Sequence, residues 1–135
     1  MIAYIVVEGP ADADWLRAAF PPESLEDVAI VPAGDLSEAT SMARTLLVTR
    51  RKPLAFVFDA DAEAPNVVRE RFQSAQEIVG MVAGRVPFRV VLAVPSLEAL
   101  SIPGADSRRS SFLAELEDFL KQAREYSARS AAFAG

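Results

Sequence analysis

Short apolar runs alternate along the chain with longer stretches whose apolar residues recur at helical spacing. The first run is Ile2 to Val7 and the second is Val28 to Val31, which ends in the tight turn Pro32-Ala33-Gly34. The third, Leu54 to Phe58, is apolar at every position, and the fourth, Phe88 to Val94, is interrupted only by Arg89. Runs of this length without polar alternation are the pattern of strands covered on both faces. Between them lie helices. One begins at Pro10 or Ala11, carries Trp15, Leu16, Ala19 and Phe20 on one side, and stops at Pro21-Pro22. Asp35 with Glu38 reads as an aspartate variant of the capping box. It opens a helix expected to bury Leu36, Ala39, Met42, Ala43, Leu46 and Leu47. Arg50-Arg51-Lys52 closes that helix as a solvated end, at the negative pole of its dipole. Pro65 and Asn66 open a helix through Val67, Val68, Phe72, Ala75, Ile78, Val79 and Val82. A short helix is expected over Leu97 to Leu100, then a Pro103-Gly104 loop continuing to Arg109. The last helix runs from Ser110 or Ser111 to about Arg129, with Phe112, Leu113, Leu116, Phe119, Leu120, Ala123 and Tyr126 on one stripe.

Strands alternating with helices predict an α/β protein: a Rossmann-like, mostly parallel four-stranded sheet flanked by helices, with an added C-terminal helix. No internal repeat or linker separates a second domain. Residues 1–101 form the strand-bearing part, and residues 102–135 a loop and helix packed on it.

Composition narrows the chemistry. The 135 residues, 51% hydrophobic and 24% charged, are those of an ordinary globular domain. Neither a transmembrane run nor the basic start of a signal peptide is present, which predicts a cytoplasmic protein without membrane association. Cysteine and histidine are both absent, so thiolate, imidazole and zinc-type chemistry are excluded. Any metal must be held by oxygen, which favours hard cations such as Mg²⁺, Mn²⁺ or Ca²⁺. The excess of 19 acidic over 14 basic side chains argues against a protein built mainly to coat nucleic acid.

Three of the four apolar runs end on acid. Ile2–Val7 runs into Glu8, Leu54–Phe58 into Asp59 and Asp61, and the fourth run leads to Glu98. Parallel strands carry their carboxyl ends to one edge of the sheet, where ligands bind. Asp12 lies one helical turn beyond Glu8 and can face the same point. Gly9 between them leaves room where the backbone turns and something approaches. Glu8, Asp12, Asp59, Asp61 and Glu98 thus form a candidate oxygen-ligand set for one or two divalent cations. Each acid also has a plainer reading. Glu8 can cap a helix, Asp59 and Asp61 can form a turn, Ser96 is an N-cap, and Asp14 and Glu63 face solvent.

The runs YIVVEGPADADWL, VPAGDLSEATSMARTL, LAFVFDADAE and VVLAVPSLEAL resemble, in order, the Toprim domain of topoisomerases, bacterial primases and the overcoming-lysogenization-defect (OLD) nucleases. The OLD-type branch is the nearest in pattern. Its Glu-Gly motif with an acid one turn on is similar to Glu8, Gly9 and Asp12. Its Asp-x-Asp motif matches Asp59 and Asp61, and its later acid in a Ser-x-Glu context matches Ser96 and Glu98. The resemblance spans residues 2–101, making 1–101 a stand-alone Toprim-like domain. It implies Mg²⁺- or Mn²⁺-dependent phosphoryl transfer on DNA or RNA, with Glu8, Asp59 and Asp61 as catalytic residues and all five acids as metal ligands. Water is the expected nucleophile, since Tyr4 lies inside a strand and Tyr126 on the last helix. Arg108, Arg109 and Lys121 are the cations expected to meet substrate phosphate. The resemblance also points to a protein partner supplying ATPase or helicase activity.

A second reading keeps the fold but makes the chain a weakly active or inactive binding subunit of a larger nucleic-acid-processing or defence assembly. A haloacid-dehalogenase reading of FVFDADA fails because that family carries its motif on the first strand and follows it with threonine. A receiver-domain reading fails for want of a suitably placed lysine.

Overall fold

Four strands pair in parallel, side by side in the order β2-β1-β3-β4: β1 is Ala3–Val7, β2 Val28–Pro32, β3 Leu54–Asp59 and β4 Phe88–Ala93. The computed structural model describes residues 1–134. Connecting the strands are the helices α1 (Pro10–Ala19), α2 (Leu36–Arg50), α3 (Pro65–Gly80), α4 (Leu97–Leu100) and α5 (Asp106–Ala134). The α/β sandwich expected from the sequence is therefore present, with a sheet that is entirely parallel.

Though the strands are apolar on consecutive residues, the pleat still sorts them. Ile5, Val7, Ala55, Val57 and Val91 face Leu16 of α1, Leu97 and Leu100 of α4, and Leu116 and Phe119 of α5. Val6, Leu54, Phe56, Phe58 and Val90 face Ala43 and Leu47 of α2 and Val79 of α3. Two helical layers thus cover both faces, which removes any reason for polar alternation. The capping box at α2 is formed: the Glu38 N–H donates to Asp35 Oδ1 at 2.8 Å and the Asp35 N–H to Glu38 Oε1 at 3.2 Å.

Three expectations need correcting, and one short element was not foreseen. The last helix starts at Asp106, ahead of Ser110, so Arg108 and Arg109 lie in its first turn and not in a loop. Its first bond runs from the Arg109 N–H to the Ala105 carbonyl at 2.9 Å. A 3₁₀ turn over Pro22–Leu25 fills the connection before β2. Leu36 and Met42 are exposed, because α2 meets the sheet through its small stripe of Ala39 and Ala43 with Leu47. Phe72 and Ile78 of α3 are exposed for the same reason, Ala75 and Val79 being the residues that touch the core. Among the described residues no helix is long and apolar enough to cross a membrane.

Candidate functional site

The strand order reverses direction between β1 and β3, since the chain builds β2 on one side of β1 and then crosses to the other. In open α/β sheets such a switch point leaves a crevice at the carboxyl ends of the two strands. Glu8 follows β1 and Asp59 closes β3, so the two stand on either side of it. The Asp59 N–H donates to Glu8 Oε1 at 3.2 Å across that boundary. Asp59 Oδ1 in turn accepts the Leu97 N–H at 2.9 Å, at the start of α4. A carboxylate–amide relay therefore ties together the ends of β1 and β3 and the segment beyond β4.

Beyond Asp59 the backbone still follows β4. The Ala60 N–H donates to the Ala93 carbonyl and the Asp61 N–H to the Pro95 carbonyl, both at 2.9 Å. Asp61 then takes a left-handed conformation with φ 52°, which aspartate tolerates better than most residues. The turn leaves Ala60 buried and Asp61 exposed. Asp12 is half-buried in the first turn of α1, where its carboxylate accepts the Gly9 N–H at 3.2 Å. Gly9 itself has an ordinary extended backbone with φ −117°, and a Cβ built on it meets nothing within 4 Å. The fold does not require glycine there; the glycine leaves open space at the turn between Glu8 and α1. Glu98 is exposed on α4, and Ser96 is its N-cap, accepting the Ala99 N–H at 3.1 Å.

Two of these acids feel the charge of the others. Burial is the main cause that raises the Glu8 carboxyl above its ordinary value; the bond from Asp59 opposes the rise, while Asp59, Asp12 and Asp61 add repulsion. Burial likewise leads the rise at Asp59, opposed by the Leu97 N–H and reinforced by Asp12, Asp61 and Glu98. None of the five is in an ion pair among the described residues. As the side chains stand, no three carboxylates among the described residues converge as a metal site does. Glu8, Asp12 and Asp59 each spend one oxygen on a main-chain donor, and Asp61 and Glu98 extend toward solvent. The donor chemistry nevertheless suits a hard cation: oxygen only, outside any ion pair among the described residues, and half-withdrawn from water at Glu8, Asp12 and Asp59.

The expected phosphate cations separate. Arg108 reaches the acidic turn, pairing with Glu63 at 2.9 Å. Arg109 is turned away, donating to Asp106 at 2.6 Å and to the Leu100 carbonyl at 3.2 Å. Lys121 lies far down α5, in a cleft with Ser24, Glu117, Arg124 and Glu125 toward the opposite edge of the sheet. Sequence reasoning missed Arg71, the half-buried cation of α3 whose Nη1 donates to the Ala60 carbonyl at 2.5 Å and so braces the Asp59–Asp61 turn. Its position two turns into a helix that follows an acidic turn was the available signal. Behind that turn, an apolar cleft of about 320 Å³ between α2 and α3 is lined by Leu36, Phe58, Val67, Arg71 and Ile78; it adjoins the carboxylates without including them.

No protein-family model, curated protein or solved structure matches the chain.

Proposed function

We propose that this chain is a Toprim-type module for divalent-metal-dependent phosphoryl transfer on nucleic acid, hydrolysing phosphodiesters with water as nucleophile. The observation that carries the reading is the pair of half-buried carboxylates, Glu8 and Asp59, bonded across the switch point and repelled by neighbouring acids, with no ion-pair partner among the described residues. Glu8, Asp12, Asp59, Asp61 and Glu98 would hold Mg²⁺ or Mn²⁺, each of the first three through the oxygen its main-chain bond leaves free. A divalent ion bound there supplies neutralisation of phosphate charge and activation of water. The main-chain donors of Asp59 and Leu97 fix the Glu8 and Asp59 carboxylates in place, so that orienting them costs little on binding. The open space at Gly9, next in sequence to Glu8, would admit a phosphodiester to this turn. Arg108, at the rim beside Glu63, and Arg71, behind the Asp59–Asp61 turn, are the cations positioned to offset phosphate charge.

A second reading is favoured by one observation, that no three carboxylates converge as they stand. On that reading the chain binds metal weakly and serves as a subunit of an assembly whose partner supplies ATPase or helicase activity. Calorimetric titration with MgCl₂ and MnCl₂, on wild type and on Asp59→Asn/Asp61→Asn, tests the first reading together with cleavage of a labelled oligonucleotide. Metal binding and cleavage, both lost in the variant, are expected. Metal binding without cleavage selects the second reading, and an unchanged variant removes the site.

A further inference from the structure

The edge of the sheet opposite the carboxylates has its own charge, of the other sign. Arg50 ends α2, Arg51 and Lys52 follow it just before β3, and Arg85 sits in the turns just before β4, so all four gather at the amino ends of the strands. Arg51 turns in the left-handed conformation with φ 54°, donates to the Val82 carbonyl at 3.4 Å, and lays its Nη2 3.2 Å from where a Cβ on Gly84 would stand. That brings it against the loop carrying Arg85. In a chain with five more acids than bases, the four ion pairs among the described residues use Arg17, Arg89, Arg108 and Arg109, and none involves these four cations.

Beside the cations is a cleft of about 440 Å³. Its lining includes Arg50, Arg51 and Lys52 on one side and the hydroxyl-bearing Tyr126, Ser127 and Ser130 of α5 on the other, over Ile2 and Pro53, with no carboxylate. The dipole of α2 accounts for one or two cations at its end. It does not account for Arg85, which belongs to another element, nor for hydroxyls facing the cluster from α5. Guanidinium and ammonium groups together with hydroxyl donors, and no acid to compete, are the recognition chemistry of a phosphate group.

We propose that this cleft binds phosphate, independently of the carboxylate edge, which lies about 15–20 Å away along the strands. The phosphate belongs either to a free polyphosphate or to the backbone of a nucleic acid. The test titrates the full chain in EDTA, which removes the carboxylate site from the measurement, with sodium pyrophosphate by calorimetry and with labelled single- and double-stranded DNA by fluorescence anisotropy. Wild type is compared with Arg50→Gln/Lys52→Gln, with Ser127→Ala/Ser130→Ala, and with Arg17→Gln/Arg69→Gln, which removes equal charge away from the cleft. Binding of either probe, weakened about tenfold or more in the first variant and measurably in the second but unchanged in the third, is the expected result. For DNA the slope of log K against log salt should also fall by about two, one for each cation removed. Pyrophosphate binding alone identifies a free phosphate ligand, and DNA binding alone identifies a backbone contact. Absence of binding to both, or equal weakening in the first and third variants, overturns the proposal. Equal thermal unfolding of all four proteins keeps these outcomes separate from folding.

Discussion

Replacing Asp59 by asparagine and by alanine separates charge from hydrogen bonding at the sheet edge. Its Oδ1 accepts the Leu97 N–H at 2.9 Å, and Leu97 is only 3% exposed, so alanine leaves a buried main-chain donor without a partner. A bond to a charged acceptor contributes about 1.5–3 kcal/mol, and a neutral one about 0.5–1.5 kcal/mol. Against it stand the desolvation of a half-buried carboxylate and its repulsion by Asp12, Asp61 and Glu98. Solvent-exposed charge pairs interact by about 0.2–1 kcal/mol each, and a half-buried member such as Asp59 is screened less. Asparagine keeps an acceptor oxygen and discards the charge. Near neutral pH in EDTA, Asp59→Asn should therefore be at least as stable as wild type, and Asp59→Ala about 1–2 kcal/mol less stable than Asp59→Asn.

The pH dependence follows in sign. Folded Glu8 and Asp59 hold their protons to higher pH than their ordinary values of 4.5 and 3.8. Between those values and the raised folded ones, the native state binds more protons than the unfolded state. Wild-type stability contributed by these groups thus falls as pH rises through that window and stays lowered above it. Asp59→Asn should flatten that fall. Urea unfolding followed by circular dichroism, near neutral pH and again within the ordinary carboxylate range, measures both effects. Equal destabilisation by asparagine and alanine, or a wild type that gains stability from these groups across the window, would refute the reasoning.

Gly9→Ala should leave stability within about 0.5 kcal/mol, since its backbone is ordinary and its Cβ meets nothing, yet should weaken binding of an oligonucleotide that approaches Glu8; urea unfolding and anisotropy read the two effects. Gly34→Ala should cost more than about 1 kcal/mol, because φ is +116° and the new Cβ would lie 2.6 Å from Glu38 Oε1, displacing half of the capping box; thermal unfolding measures it. Leu116→Ala, in the fully buried seam between α5 and the sheet, should cost about 2–5 kcal/mol in urea unfolding without altering divalent-cation binding to the folded protein.

Most of the fold was legible because the strands are continuous apolar runs and α1 to α4 each open on a proline or on an Asp or Ser cap. Leu54–Phe58 announced a strand buried on both faces, and Asp35 with Glu38 announced the start of α2. The start of α5 was not legible, because Ser110-Ser111 mimics a cap inside a helix that the Asp106 turn already begins. Nor could periodicity tell which side of α2 and α3 meets the sheet. Their apolar residues spread over a wide arc, and close approach selected Ala39, Ala43 and Ala75 over the larger Met42 and Phe72. At the carboxyl edge, strand-end acids identified the neighbourhood. Their hydrogen bonds were invisible, since Glu8 and Asp59 are satisfied by main-chain donors from distant segments. Arg71 escaped for the same reason, its partner being a carbonyl and not an acid.

The relay from Glu8 through Asp59 to Leu97 joins residues 51 and 38 positions apart in sequence. Long-range contacts of this kind form only after the loops between them have closed, late in the folding of a parallel sheet. The repulsion among the acids consequently has no force in a partly folded chain, where they are dispersed and hydrated. Concentrated negative charge at this edge is thus a property of the completed fold. A growing chain that has made β1 and β3 but not yet the segment after β4 carries the Glu8 and Asp59 motifs without the Leu97 N–H that completes their frame.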